Sequence, residues 1–310
     1  MGHSQLLAIV VALVGVACTA GDGGGASGPQ PTPTATPRGV ACIALAESVC
    51  ARVETCAPFL AKTGTGVGAV CTAAVFDHCF RTAGLGGSNR TVADIASCAD
   101  AVRKSDCAGF LSSLPDVCEY PPGSLVDGSF CAFHEQCASR FCDRAPDTAC
   151  GVCAAPPRVG QPCLHDACAP GLVCTSANSC VRPGALGDSC GPNEPCGRLL
   201  FCNGDRCAVR RQPGEGCNGF GQCDAFAETT CAANSVCRAT ATAALGEPCD
   251  LTANALTLCN APARCIDDRC APAKAEGASC GSAGSHECDG FQSECIRGRC
   301  LLRTVEMCQL

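Results

Sequence analysis

The residues that could do chemistry in this 310-residue chain are its cysteines and what stands beside them. Cys150-Gly-Val-Cys153 has the spacing of a redox dithiol. Such a pair is reactive when a helix N-terminus lowers the thiol pKa. Pro146 on one side and Pro156-Pro157 on the other point to loop instead. Gly-x-Ser-x-Gly, the nucleophile-elbow pattern, occurs at Gly187–Gly191 and Gly277–Gly281. An elbow requires a strand–turn–helix within a large sheet. Both occurrences coincide with a repeated Gly-x-x-Cys, and sister copies carry Pro162 or Gly216 in place of the serine. Structural zinc sites use paired Cys-x2-4-Cys or Cys/His knuckles. Only Cys150 and Cys153 have the two-residue spacing, and His78, His134, His165 and His286 form no paired arrangement. These readings leave no catalytic, cofactor-binding or metal residue to name, and the expectation is a non-enzymatic protein.

What the cysteines do instead follows from their number and period. There are 35 of them, about 11% of the chain, above the roughly 8–10% that marks a disulfide scaffold. There is no Trp, one Tyr (Tyr120) and two Met, so large side chains for a core are scarce. Gly-x-x-Cys recurs at Gly128–Cys131, Gly160–Cys163, Gly187–Cys190, Gly214–Cys217, Gly246–Cys249 and Gly277–Cys280, at steps of 32, 27, 27, 32 and 31 residues. Each start leads into three more cysteines. The second slot holds Cys137, Cys168, Cys196, Cys223, Cys259 and Cys288. The third holds Cys142, Cys174, Cys202, Cys231, Cys265 and Cys295, and the fourth Cys153, Cys180, Cys207, Cys237, Cys270 and Cys300. Units shorter than about 40 residues need cross-links, metals or partners to fold. Two bridges per unit, each contributing about 2–4 kcal/mol, would make up that deficit. The repeated glycine is expected to take a positive φ at a tight turn. Turn residues such as Pro192, Asn193, Gly204 and Asp205 predict short hairpins and little helix. Cys150 and Cys308 lie outside the scheme. They either pair with each other or one of them closes a neighbouring module.

Upstream, residues 40–120 predict a small helical domain stapled by Cys42, Cys50, Cys56, Cys71, Cys79, Cys98, Cys107 and Cys118. Cys42, Ala46, Val49, Cys50 and Val53 recur at helical steps within Cys42–Cys56. Gly68–Gly84 repeats the pattern, with Cys71, Val75, Cys79 and Phe80 on one stripe. Thr91 and Asp94 have capping-box spacing before a third helix, and a short fourth is expected over Ala108–Leu114, ended by Pro115. Eight cysteines allow 105 pairings, and spacing does not choose among them.

The N-terminus reads as an export signal, residues 1–17, around the apolar run Leu6–Ala17. That run is too short for a bilayer, which takes about 20 residues. "GVAC" ending at Cys18 resembles a bacterial lipobox, with Gly15 where lipoboxes carry Leu. The resemblance implies a lipidated Cys18. Gly15-Val16-Ala17 also fits ordinary signal cleavage. Lipidation explains parity, since 34 cysteines remain once Cys18 is set aside. Residues 18–39, with "QPTPTATP", read as an extended tether reaching up to roughly 60 Å at about 3.1 Å per residue. Net charge is −7 and the longest basic run is Arg210-Arg211, which speaks against nucleic acid.

The stretch "CAFHEQCASRFCDRAPDTACGVCAAPPRVGQPCLHDACAPGLVCTSANSC", residues 131–180, resembles the Dickkopf N-terminal cysteine-rich domain. The matching residues are Cys131, Cys137, Cys142 after Phe141, Cys150, Cys153, Cys163, Cys168, Cys174 and Cys180. The family carries a Cys-Cys doublet where this chain has Cys168-Ala169, which implies one bridge missing or re-routed. The whole layout is similar to cysteine-rich lipoproteins of myxobacteria. The expectation is thus a small disulfide-rich fold: a helical cysteine-stapled domain, then an elongated array of six loop and hairpin modules over residues 121–310. It would sit in the cell envelope as an outer-membrane lipoprotein, or be secreted. It would reach the membrane only through its lipid and bind a protein or glycan ligand. The alternative is a protease inhibitor presenting disulfide-rigidified loops.

Overall fold

The computed structural model describes residues 35–308, apart from 113, 146–147, 166, 198, 219–221, 225–228, 232–234, 251–256, 282–286, 289–292 and 303–307. The export signal, Cys18 and most of the tether lie outside the described residues, as does His286.

The main helices of the first domain are α1 (Pro37–Cys56), α2 (Ala69–Thr82), α3 (Val92–Lys104) and α4 (Cys107–Ser112), with a helical turn at Pro58–Leu60 and a π-helix at Ala61–Thr65 between α1 and α2. Helix α1 begins at Pro37, inside the stretch read as tether. The reason is local. Pro37 occupies the first helical turn, where its missing N–H costs nothing. Thr36 caps the end by accepting the Gly39 N–H at 3.0 Å. The fourth helix starts one residue earlier than expected and stops at Ser112. At α3 the capping box forms in full: Thr91 Oγ1 accepts from the Asp94 amide at 3.2 Å, and the Asp94 carboxylate accepts from the Thr91 amide at 2.8 Å.

Cysteine spacing fixes how these helices pack. Cys42 and Cys50 lie eight residues apart on α1, as do Cys71 and Cys79 on α2. The bridges Cys42–Cys79 and Cys50–Cys71 are thus two rungs between antiparallel helices. Cys56–Cys107 and Cys98–Cys118 tie in α4 and the chain beyond it. Between the rungs lies a packed apolar core that includes Leu45, Val49, Val53, Val75, Ile95, Val102 and Phe110. Arg52 reaches across from α1 and donates to the carbonyls of Val102 and Arg103, satisfying the open C-terminal end of α3.

From Gly123 onward the chain folds as six hairpin modules with one wiring. In every module the first cysteine bonds the third and the second bonds the fourth: Cys131–Cys142 with Cys137–Cys153, Cys163–Cys174 with Cys168–Cys180, and Cys190–Cys202 with Cys196–Cys207. The later three follow suit: Cys217–Cys231 with Cys223–Cys237, Cys249–Cys265 with Cys259–Cys270, and Cys280–Cys295 with Cys288–Cys300. The third and fourth cysteines face each other across an antiparallel pair, as in Cys174↔Cys180, Cys202↔Cys207 and Cys295↔Cys300. Side chains directly opposed on a ladder share one face. Each hairpin therefore presents two sulfurs to the two that arrive from the preceding loop. The buried residues of these modules are mostly those cysteines: Cys131, Cys137, Cys142 and Cys153 in the first, and Cys288, Cys295 and Cys300 in the last.

The array is closed at its ends. Cys150 of the first module is bonded to Cys308, 158 residues further on. Of the two alternatives the sequence left open for these cysteines, they pair with each other. The helical domain also meets the fifth module, where the Lys62 ammonium donates to Thr242 Oγ1 at 2.6 Å and the Lys62 carbonyl accepts from the Ala261 amide at 2.7 Å. The extended array expected from the repeat thus returns on itself, because a bridge between its two ends replaces the free C-terminus of a rod.

Candidate functional site

Each module displays the same turn, built around its repeated glycine. Six Gly residues, Gly128, Gly160, Gly187, Gly214, Gly246 and Gly277, take φ of 80–89°. An added Cβ at any of the six would meet nothing within 4 Å, so backbone conformation, not crowding, demands glycine there. The amide after each glycine donates to the carbonyl two residues before it, as in Asp188 N–H to Ala185 O at 3.1 Å. This is a type II turn with glycine in its third position. The glycine amide donates to the fourth cysteine's carbonyl at 2.7–2.9 Å in all six copies. The fourth cysteine's amide returns a bond to the residue after the glycine at 2.8–2.9 Å. In four modules that residue, Gln161, Asp188, Glu215 or Glu247, also accepts the amide that opens the turn, at 2.5–2.7 Å.

Arginines reinforce this frame where the fourth cysteine is preceded by one. Arg206, Arg269 and Arg299 donate to the carbonyls of Gly187, Gly246 and Gly277 at 2.8–3.1 Å. Arg211 joins two modules. Its guanidinium lies over the Phe201 ring at 5.5 Å, donates to Asn203 Oδ1 at 3.2 Å, and donates to the Gly216 carbonyl. At the junction with the helical domain, buried Gln136 donates to the Gly86 carbonyl at 2.7 Å and accepts from the amides of Ala132 and Phe133. Gly123 fits there only without a side chain, since a Cβ would lie 2.1 Å from the Gln136 carbonyl oxygen. The Arg90 guanidinium covers the Tyr120 ring at 4.7 Å. Burial, and then the Glu135 carboxylate, push the Tyr120 hydroxyl well above its usual range. Sequence reasoning named the glycines but missed Arg206, Arg211 and Gln136. A recurring Arg-Cys before the next module was the available signal for the first of these.

Among the described residues, the patterns that suggested chemistry resolve into this frame. Cys150 and Cys153 are not joined to each other: Cys150 bonds Cys308 and Cys153 bonds Cys137. Ser189, the centre of one elbow pattern, follows a turn and donates to Glu194 at 3.3 Å. His134 accepts the Cys142 amide on Nδ1 at 2.9 Å and stacks on Phe141. His165 lies 3.6 Å from Asp143 of the preceding module. His78 sits on α2 beside bridged Cys79. The modules do gather three cysteine sulfurs within 4.8 Å of one another, as a thiolate metal site would, but these sulfurs are consumed in bridges. A bridged sulfur is not the thiolate that ligates metal.

All 34 cysteines from Cys42 to Cys308 are joined in seventeen bridges. Bridges at this density place the chain in an oxidising, extracytoplasmic compartment. No single helix among the described residues is long and apolar enough to cross a membrane. The chain is a cysteine-rich protein of repeated disulfide-stapled hairpin modules behind a helical domain. No family model matches it, and neither a curated protein nor a solved structure does.

Proposed function

We propose that this chain is an exported surface protein, anchored through lipid on Cys18, that binds a protein or glycan partner without catalysis. One observation carries the reading: the frame is constant while the loops it holds are not. The staple and turn are the same six times, yet the first two cysteines are five positions apart at Cys163–Cys168 and ten at Cys249–Cys259. Variable loops on a fixed scaffold are where recognition concentrates. The likeness of residues 131–180 to the Dickkopf N-terminal domain fits a recognition module. It transfers no signalling role, and Cys150 finds its partner outside that stretch, at Cys308. The outer envelope is the fitting location for such a protein, because the tether would lift the modules from the membrane.

Capture from cell-surface extract tests this. The oxidised chain retains specific partners, and the reduced and alkylated chain does not. An empty capture with the oxidised chain would instead favour a purely structural envelope component. Inhibition of proteases at micromolar concentration would favour the inhibitor reading. For the anchor, Cys18→Ser moves the protein from the membrane fraction to the soluble one. An unchanged distribution would sink lipidation.

A further inference from the structure

The second module carries a cleft of about 550 Å³ unlike anything the frame requires. Two tight turns form its rim. One is Arg158-Val159-Gly160-Gln161, closed by the Gln161 amide on the Arg158 carbonyl at 3.0 Å. The other is Ala169-Pro170-Gly171-Leu172, closed by the Leu172 amide on the Ala169 carbonyl at 3.0 Å. The Ala169 amide donates to the Pro157 carbonyl at 2.9 Å and locks the turns together. Val159, Pro170, Leu172 and Pro183 supply apolar lining, and Arg158 and Arg182 stand among them. No acidic residue lines the cleft among the described residues.

What sets these two arginines apart is that they share one cleft; Arg238 and Arg297, likewise exposed and without a side-chain bond among the described residues, do not line it. Elsewhere in the array Arg206, Arg211, Arg269 and Arg299 spend their guanidiniums on backbone carbonyls of the frame. Neither Arg158 nor Arg182 has a side-chain hydrogen bond or ion pair among the described residues, and both are exposed. Nor does the repeat ask for them. At the position of Arg158 the other modules carry Val126, Ala185, Gln212, Ala244 and Ala275; at that of Arg182 they carry Ala155, Val209, Ala239, Pro272 and Leu302. Arginine occurs at both positions in one module only, and both side chains line one cleft. The chain as a whole is acidic, at −7, so this is a local reversal of sign.

We infer that this cleft binds an acidic peptide segment carrying an aliphatic side chain. Each guanidinium offers a planar fork of donors that matches a carboxylate. The apolar lining takes the aliphatic group, in the usual pattern of an apolar pocket with few polar anchors. A sulfated glycan would answer to the charge but has nothing to place on Val159, Pro170 and Leu172. The turns hold the rim before the ligand arrives, which lowers the ordering cost of binding. The inference rests on the binding role proposed above and gives it a site.

The test uses the full oxidised chain and a fluorescein-labelled peptide of alternating Glu and Leu, with alternating Lys and Leu as control. Saturable binding is expected for the acidic peptide alone, weakening with added salt. Arg158→Ala with Arg182→Ala should lower the affinity by roughly tenfold or more. Arg158→Lys with Arg182→Lys should retain part of it. Arg238→Ala, which removes an exposed arginine in another module, should leave it unchanged. All seventeen bridges should persist in each variant by intact mass. Equal affinity in the double alanine variant overturns the inference, as does a preference for heparin that the same variant abolishes. Repeating the surface capture with that variant separates the two levels of the reading. Partners kept by both wild type and variant end the cleft assignment and leave the binding role standing. No partner with either ends the binding role.

Discussion

The two halves of this molecule solve one problem by different physics. The helical domain buries Leu45, Val49, Val53, Val75, Ile95, Val102 and Phe110 between helices and then adds four bridges. The modules bury mainly sulfur, with only a few large apolar side chains, Phe141, Phe201 and Ile296, beside it among the described residues. The fourth module's buried cluster is Cys217, Cys223 and Cys237, and the first module's is four cysteines. In the first half cross-links supplement a core; in the second they are the core. Cysteine content alone does not distinguish these cases. What does is whether the residues between the cysteines recur at helical steps or read as turn.

The sharpest way to break the contrast is to remove one bridge from each half. Cys168→Ser with Cys180→Ser should cost module 2 about 2–5 kcal/mol, opening it to protease while leaving the other modules intact. Cys42→Ala with Cys79→Ala should keep the helical signal in circular dichroism, because the apolar core between α1, α2 and α3 remains. If both pairs unfold their halves equally, the distinction is lost. Next in size comes the converse. Ile95→Ala should destabilise the helical domain by about 2–5 kcal/mol in a denaturant melt. Val209→Ala, at a module residue 61% exposed, should register within about 0.5 kcal/mol.

The repeated turn gives a smaller effect. Gly187→Ala meets no steric obstacle, so its cost is the positive φ alone, about 1–2 kcal/mol, seen as faster exchange of the Cys207 amide. Of similar size is the α3 cap. Thr91→Ala should cost about 1 kcal/mol. The Thr91 backbone and side chain hold the Asp94 carboxyl below its ordinary value. A carboxylate depressed in the folded state contributes stability that is complete above its unfolded value of about 3.9 and fades as pH falls through the folded one. An acid titration of Asp94→Asn should lack that contribution, and an identical acid profile in the two proteins would contradict it.

Much of the fold was legible in the sequence, and for a physical reason. A hairpin module has so few residues that its turn chemistry is written locally. The Gly-x-x-Cys register and the hairpin between third and fourth cysteines follow from neighbours in sequence. The α3 capping box was readable for the same reason. The pairing was not readable, since spacing leaves every connectivity open. The ladder turns the third and fourth cysteines together toward the incoming loop, and the bridges then join first to third and second to fourth in every module. The start of α1 at Pro37 was hidden because the same prolines that mark a tether also suit a first helical turn. Arg211 and Gln136 were unreadable because their partners, Phe201 and Gly86, are contributed by a neighbouring unit. The cleft of module 2 was visible only in the fold, which brings Arg158 and Arg182 to one rim. Their odd residue types could be read off the repeat register, but that both side chains line one cleft could not.

The bond between Cys150 and Cys308 makes everything from residue 150 to residue 308 a covalent ring. A single proteolytic nick in the short stretch joining two modules would therefore release nothing; the severed pieces would stay attached by the other way round. A pull exerted on any module in the ring reaches the N-terminal side along two arms at once, and each arm carries only part of the load. In an oxidising, extracytoplasmic compartment, where proteolysis is an ordinary hazard, that geometry turns one extra pair of sulfurs into tolerance of damage.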